Sequence, residues 1–251
     1  MKITVLITVK NAEHTIKNCI DSVLNQTFKN FDVIVIDAYS KDNTYEILKS
    51  YGDRIRLFQV EGNAPKAFNY ALQFIDSEYV AFTDGDCIVD KNWLKELMKG
   101  FKEDVIGVAG FCGTQKTDNK LQYAIGMELE NRFKNFPQYI VRAPTMNLCL
   151  KTEILKKLWF NEDFKIAFET DLEYRLVPYG RIFYSPKAVV YHYHRASWKS
   201  FFFQQRFYGT YAFLTVMKHR HMTLGDHLTN PYMVLQVPIF GIFLLSLLLS
   251  G

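Results

Sequence analysis

Cysteine is scarce in this chain, and no stretch is dominated by proline or glycine. The four cysteines among 251 residues form no CxxC pair, which excludes the usual zinc-knuckle and redox-pair patterns and predicts reduced, mostly buried thiols. Seven prolines and 13 glycines exclude a collagen-like or low-complexity chain. The formal net charge of +4 is too small to predict nucleic acid as a partner. With 49% apolar residues, the chain can bury the core of a globular domain.

Strand-like and helix-like segments alternate in the N-terminal part, at intervals of about 25 residues. The strand candidates are short apolar runs rich in β-branched residues, at positions 3–9, 31–36, 54–60 and 79–82. Segments with a helical spacing of apolar residues follow them, at positions 11–24, 44–48, 64–74 and 92–101. This alternation is typical of βαβ units, so we predict an α/β fold with a mostly parallel central sheet flanked by helices.

Carboxylates follow two of the predicted strands. Asp37 comes directly after the second strand, and Asp84 and Asp86 follow the fourth strand on a tight turn. Ligands of open α/β sheets bind beyond the carboxyl ends of the strands, and two carboxylates on one turn can hold a divalent cation. From spacing alone, a solvated turn explains the Asp84–Asp86 pair equally well, and residues 37–44 have the alternative interpretation of a capped turn before a helix.

The regular alternation ends near residue 110. We predict that residues 110–145 form an insertion over the site, with a helix at 122–136. Two short helices follow at 153–158 and 168–176, and then a strand at 182–191.

Several residues in this C-terminal part suit acid–base or ligand chemistry. Glu169 lies at or just before a predicted helix start and is free to act as a general base, whereas Asp171 and Arg175 have the i, i+4 spacing of a structural ion pair. His192 and His194 share one face of a strand end. They are either packing partners or ligands for a metal or a phosphate.

The order and spacing of these blocks resembles glycosyltransferase family 2, the inverting transferases with the GT-A fold. The segment LITVKNAEHTIKNCIDSVLNQTFKNFDVIVIDAYSKDNT is similar to the nucleotide-binding opening of that family. The Asp84–Asp86 turn looks like its metal-binding D-x-D, and ETDLEYRL is similar to its catalytic segment. There are two departures. The family's Glu-Asp pair is Phe168–Glu169 here, and its Ala-Arg-Asn segment lacks the arginine, so that Lys66 is the candidate replacement cation.

The resemblance implies a single displacement that moves a sugar from a nucleotide-sugar donor to a hydroxyl acceptor. Glu169 would be the general base, with Asp171 as the alternative. Asp86, helped by Asp84 and His192, would hold Mn²⁺ or Mg²⁺ on the donor diphosphate.

The resemblance also implies contacts to the rest of the donor. Asn147 and Asp84 would lie near the sugar or the acceptor. The residues expected to line the nucleotide are Thr8, Asn11, Glu13, Asp37, Lys66 and Asp84.

The C-terminal part of the chain is rich in aromatic residues and ends in an uncharged run. Residues 198–220 interleave aromatic side chains with lysine and arginine, and residues 232–251 carry no charge. Rings and cations together are typical of a membrane interface. We therefore predict a GT-A catalytic domain over 1–196, an amphipathic interfacial helix region over 197–224, and the start of a transmembrane or membrane-embedded segment at 232–251. The alternative is that the aromatic residues are core and the tail is a buried helix.

A membrane location also bears on which side of the membrane the catalytic domain lies and on the kind of acceptor it uses. Lys218 and Arg220 before the uncharged run predict a catalytic domain on the cytoplasmic side. The membrane location itself favours a lipid-linked or membrane-presented glycan as the acceptor. Two other functions remain open at this point. One is a non-catalytic membrane scaffold with a decayed transferase domain. The other is a nucleotidyltransferase, although residues 1–15 contain no glycine for its usual phosphate loop.

Overall fold

A single β-sheet organises the chain. The computed structural model describes residues 1–219 together with residues 239, 242 and 246, and within 210–216 it describes the backbone only. The strands are β1 (Ile3–Val9), β2 (Phe31–Asp37), β3 (Arg56–Gln59), β4 (Tyr79–Asp84), β5 (Cys87–Val89), β6 (Val105–Thr114), β7 (Tyr139–Ile140), β8 (Leu148–Lys151) and β9 (Arg181–His192). They are ordered β3-β2-β1-β4-β8-β6-β9-β5, and β7 pairs beside β9.

The helices cover both faces of this sheet. They are α1 (Ile16–Leu24), α2 (Thr44–Lys49), α3 (Ala64–Leu72), α4 (Trp93–Met98), α5 (Lys120–Lys134), α6 (Thr152–Leu158), α7 (Phe168–Leu176) and α8 (Trp198–Lys218). Side chains alternate along each strand, so Ile3, Val5 and Ile7 of β1 pack with α1, α2 and α4. Leu6 of the same strand packs on the other face in the cluster that contains α3, α6 and α7.

The N-terminal half of the sheet is parallel. β1 pairs in parallel with β2 and with β4, and β2 pairs in parallel with β3. Parallel neighbours need a crossover connection, which the helices supply, and strands covered on both faces are apolar throughout. The βαβ pattern predicted for this half is confirmed.

The C-terminal half of the sheet is mixed, and here the prediction of a mostly parallel sheet is wrong. Four of the eight strand pairings in the described residues are antiparallel: β4 with β8, β6 with β8, and β9 with both β5 and β7. β6 pairs in parallel with β9 and extends to Thr114, so residues 110–114 belong to the sheet and not to an insertion. Short antiparallel strands need no crossover helix, and they therefore leave no alternating pattern in the sequence.

The predicted membrane elements are described only in part. Helix α8 matches the long helix predicted for the aromatic segment. Among the described residues, no helix combines the length and the apolar character needed to cross a bilayer. Residues 220–224, and residues 232–251 apart from 239, 242 and 246, lie outside the described residues.

Candidate active site

The cleft lies at the carboxyl ends of the central parallel strands. Thr8, the next-to-last residue of β1, is half-buried and sits in register with Ile36 of β2 and with Asp84 of β4. The segments that leave these three strands therefore meet at one edge of the sheet, where ligands of α/β folds bind. This confirms the predicted convergence of the polar segments.

Two loops are joined into one wall of the cleft. The backbone N–H of Asn11 donates to Ser40 Oγ at 2.8 Å, and Asn11 Oδ1 accepts from the N–H of Lys41 at 2.8 Å. Glu13 Oε2 accepts from the N–H of Asn43 at 3.0 Å. These bonds occupy the first residues of the segment predicted as a helix from residue 11, so α1 begins only at Ile16. Asn11 and Glu13 are thus held at the cleft, and their contact with a nucleotide stays a prediction.

Asp37 supports this wall from inside. Its carboxylate accepts from the N–H of Ser40 at 3.1 Å, from Ser40 Oγ at 2.5 Å and from Gln59 Nε2 at 2.9 Å. The side chain is fully buried. These bonds give the carboxylate a supporting role in the wall, and its direct contact with the nucleotide stays a prediction. Ser40, which links Asp37 to Asn11, is the residue that sequence reasoning missed.

Asp84, Asp86 and His192 form an acidic cluster at the floor of the cleft. His192 Nε2 lies 3.4 Å from Asp86 Oδ2. Burial and the neighbouring Asp86 carboxylate raise the pKa of Asp84 to about 7. Burial also opposes the ionisation of Asp86, but its hydrogen bond and ion pair with His192 outweigh burial and lower the pKa of Asp86. The same contact raises the pKa of His192 against the effect of burial.

This cluster fits a divalent cation. The nearest ligand atoms of Asp86, Cys87 and His192 all lie within 4.8 Å of one another. Carboxylate oxygens suit Mg²⁺ and Mn²⁺, and a bound cation would relieve the repulsion between Asp84 and Asp86. Gly85 makes this turn possible because a Cβ at that position would lie 2.8 Å from Cγ2 of Val9.

The second histidine lies behind the first. His194 Nδ1 is 3.0 Å from His192 Nδ1, and its Nε2 is 3.3 Å from Thr114 Oγ1. Burial and the nearby His192 charge lower the pKa of His194 to about 4. These contacts favour a packing role for His194 beside His192, and the role of His192 as a metal ligand stays a prediction.

Glu169 lies in the first turn of α7. Its side chain is half-buried, and among the described residues its Oε2 atom has no hydrogen-bond partner. Burial raises the pKa of Glu169, although the nearby Arg142 partly opposes this shift. After burial and Asp86, the Glu169 charge also contributes to raising the pKa of Asp84, so the two carboxylates lie close enough to interact.

The two other carboxylates of α7 have structural partners. Asp171 is fully buried and contacts Arg175 Nε at 2.9 Å, Lys218 Nζ at 2.7 Å and His219 Nε2 at 3.0 Å. Although burial opposes its ionisation, these partners lower the pKa of Asp171. Asp171 is thus a poor proton acceptor without access to the cleft, which argues against it as the alternative base.

Asn147 is also structural. Its Oδ1 accepts from the indole N–H of Trp93 at 2.8 Å, and its Nδ2 donates to the carbonyls of Phe111 and Ala188, both at 2.9 Å. A side-chain amide has only two donor protons, and both are used. Because Asn147 is fully buried, the predicted contact with the sugar or acceptor is wrong. The residue instead fixes the β6–β9 pairing where its register shifts after Gly110.

Lys66 and Tyr208 mark two further borders of the site. Lys66 lies in the first turn of α3 and lines a surface cleft with Glu162 and Lys165, so its contact with a nucleotide stays a prediction. Tyr208 lies near the middle of α8, and partial burial together with the charges of Glu169 and Asp84 raises its pKa. The aromatic composition of α8 did not indicate which ring lies near these carboxylates.

Known proteins share both the sequence pattern and the fold of this chain. Residues 4–159 match the family model described as Glycosyl transferase family 2. An uncharacterized glycosyltransferase of Rickettsia typhi is 26% identical over 198 residues, which are 75% of this chain and 62% of the relative. The chain therefore spans less than two thirds of the length of that relative.

Two solved structures are similar in fold. A fragment of S. aureus TarS in complex with UDP-GlcNAc is 22% identical with a TM-score of 0.59, covering 78% of this chain and 60% of the fragment. The mannosyltransferase PcManGT from Pyrobaculum calidifontis, in complex with GDP-Man and Mn²⁺, is 20% identical with a TM-score of 0.58, covering 76% and 56%. At these identities the likeness establishes the fold, and it confirms an α/β sheet with flanking helices.

Proposed function

Because the chain belongs to glycosyl transferase family 2, we propose that it transfers a sugar from a nucleotide-sugar donor to an acceptor hydroxyl, with inversion at the anomeric carbon. One observation carries this proposal. The half-buried Glu169 lies close enough to the acidic cluster of Asp84, Asp86 and His192 for its charge to contribute to raising the pKa of Asp84. Inverting transfer needs these two functions, a stabilised leaving group and a base for the nucleophile.

The acidic cluster is the proposed metal site. Asp86, with Asp84 and His192, would hold Mn²⁺ or Mg²⁺. When bound, the cation would supply positive charge against the departing diphosphate. Arg195 adds a protein charge on the same side, since it contributes to lowering the pKa values of both Asp86 and His192. Thr8, Asn11, Glu13 and Lys66 would line the nucleotide, while Asp37 acts through Ser40.

Glu169 is the proposed general base. It would accept the proton of the acceptor hydroxyl while that oxygen forms a bond to the anomeric carbon and the bond to the diphosphate breaks. A base works best when its pKa is close to the operating pH, and burial moves the pKa of Glu169 in that direction. A single displacement of this kind inverts the anomeric centre.

We also propose that α8 binds the surface of an anionic bilayer from the cytoplasmic side. Its exposed side chains include Trp198, Phe202 and Phe207, which are 73%, 63% and 54% accessible to solvent. Lys199 and Arg206 are exposed on the same helix. Rings at headgroup level and cations against anionic lipid form a membrane-binding face, and the uncharged run at 232–251 follows it. The acceptor would then be a lipid-linked or membrane-presented glycan.

Turnover across a panel of nucleotide sugars tests the proposed activity. Release of nucleoside diphosphate from the purified chain should occur with at least one donor, stop in EDTA and return with added Mn²⁺ or Mg²⁺. A chain that binds nucleoside diphosphates but releases none from any donor would instead be a scaffold. Activity unaffected by EDTA would exclude the proposed metal.

Flotation with anionic liposomes tests the membrane face separately. The full chain and a chain that ends at Thr223 should both float. Replacing Trp198, Phe202 and Phe207 by alanine in the shorter chain should abolish flotation, whereas Tyr123→Ala should not, because that equally exposed ring belongs to α5. Flotation of the triple variant would contradict the role given to α8.

A further inference from the structure

The carboxylate of Asp171 in α7 contacts residues at the end of α8, which are more than 40 positions later in the chain. Arg175 of its own helix contacts Oδ2, while Lys218 Nζ and His219 Nε2 contact Oδ1 at 2.7 and 3.0 Å. Lys218 ends α8, so this carboxylate fastens the end of α8 to α7. The His219 ring adds an edge-to-face contact with Tyr174, with ring centroids 5.1 Å apart.

The beginning of α8 is fastened on the opposite side of the cleft. Gln122 Nε2 donates to the carbonyl of His194 at 2.7 Å, and Asn119 Nδ2 donates to the carbonyl of Ala196 at 2.9 Å. Both carbonyls lie just after His192 of the acidic cluster. Helix α8 thus starts at the metal side of the cleft and ends at the helix that carries Glu169.

The described side chains in the first half of α8 are mostly exposed, among them Phe202, Phe203, Phe207 and Tyr208. Tyr208 lies near the site, since partial burial and the charges of Glu169 and Asp84 raise its pKa. The described side chains of α8 before residue 210 therefore bury little apolar surface against the domain. In that part, the position of the helix on the domain depends on the contacts at its two ends.

We propose that Asp171, Lys218 and His219 form a clasp that holds α8 across the cleft and makes Asp171 a positioning residue for sugar transfer. This inference rests on the proposed function. The closed helix would exclude water from the donor while the acceptor hydroxyl lies beside Glu169. Water excluded in this way cannot attack the anomeric carbon in place of the acceptor. Opening the clasp should therefore shift the reaction from transfer toward hydrolysis of the donor.

The variant Lys218→Ala/His219→Ala opens the clasp without stranding a buried charge, because Arg175 still neutralises Asp171. In the full chain, we expect hydrogen–deuterium exchange of α8 amides to rise by about tenfold. The ratio of donor hydrolysis to transfer should rise at least about threefold, and the acceptor KM should rise with it, while the donor KM stays unchanged. Lys218→Arg should restore all three values, and Lys95→Ala, an exposed cation on α4 outside the clasp, should change none.

The outcomes separate the clasp from the proposed function. Unchanged exchange in α8 would overturn the clasp whatever the activity. Faster exchange with an unchanged ratio of hydrolysis to transfer, or a uniform fall in kcat that Lys218→Arg fails to rescue, would overturn the positioning role. A wild-type chain that turns over no nucleotide sugar would overturn the proposed function, while the exchange measurement would still decide whether the clasp exists.

Discussion

The two sides of the cleft use the same spacing of carboxylates to opposite effect. On the metal side, Asp84 and Asp86 stand two residues apart on a turn, and the Asp86 carboxylate, together with burial, raises the pKa of Asp84. On the base side, Glu169, Asp171 and Glu173 also stand two residues apart, but on a helix. Successive members of such a helical series point about 200° apart around the axis, so they meet different partners.

This difference gives each side its function. The turn places the two carboxylates close together, which suits binding of one cation by both. The helix distributes three carboxylates over three tasks: Glu169 faces the cleft, Asp171 holds α8, and Glu173 Oε1 accepts from the buried N–H of Ala143 at 2.8 Å. The spacing of acidic residues predicts their chemistry only when the local backbone is known.

Removing the Asp86 carboxylate from the proposed metal site should cause the largest loss of transfer activity. For Asp86→Ala we expect transfer to fall by about 10³-fold or more, because a bound metal contributes several kcal/mol of charge stabilisation. Binding of nucleoside diphosphate, measured by calorimetry, should also lose its dependence on Mn²⁺. Asp76→Ala removes an exposed carboxylate far from the cleft and is the control. Full activity of Asp86→Ala would contradict the proposed metal site at Asp86.

Glu169→Gln should cause the next largest loss, confined to the chemical step. We expect kcat to fall by about 10²-fold, the usual scale for a positioned base, with donor binding retained. The base must be ionised to act, so wild-type kcat should fall as the pH falls through the pKa of Glu169. Because burial raises that pKa, this acid limb should lie above the ordinary glutamate value of about 4.3. An active Glu169→Gln variant beside an inactive Asp171→Asn variant, each with unchanged thermal stability, would reverse the assignment of the base.

Asn147→Leu tests the boundary between the cleft and the structure that supports it. The substitution leaves the Trp93 indole N–H and two backbone carbonyls without their partner, so the free energy of unfolding should fall by at least about 2 kcal/mol. Asn131→Ala, at an exposed position in α5, should change it by less than about 0.5 kcal/mol. The donor KM of the folded fraction should not change. A raised donor KM with unchanged stability would instead indicate that Asn147 contacts the donor sugar.

Sequence reasoning reached the parts of the site that depend on local patterns. The apolar runs predict the buried strand that ends at Asp84 and the buried strand that precedes the loop of Glu13. Parallel pairing of these strands predicts that the segments after them meet at one edge of the sheet. The supporting bonds of Asp37 and the structural role of Asn147 were missed because burial of a polar side chain depends on its distant hydrogen-bond partners. Gln59 lies 22 residues from Asp37, and Trp93 lies 54 residues from Asn147. The link from Asp171 to His219, just after α8, spans 48 residues and could not be read from the i, i+4 pair with Arg175.

Cys87→Ala should have the smallest effect, and it defines how far the metal side extends. The thiol lies near Asp86 and His192, with Sγ 3.9 Å from Asp86 Oδ1. Hard cations such as Mg²⁺ and Mn²⁺ prefer oxygen ligands, so the affinity for either metal should stay within about threefold of the wild type. That is well below the loss of about 10–100-fold that removal of an outer-shell partner causes. A loss on that larger scale would make the thiol a ligand. Since Cys87 belongs to β5, it would also extend the metal side from the turn into the sheet.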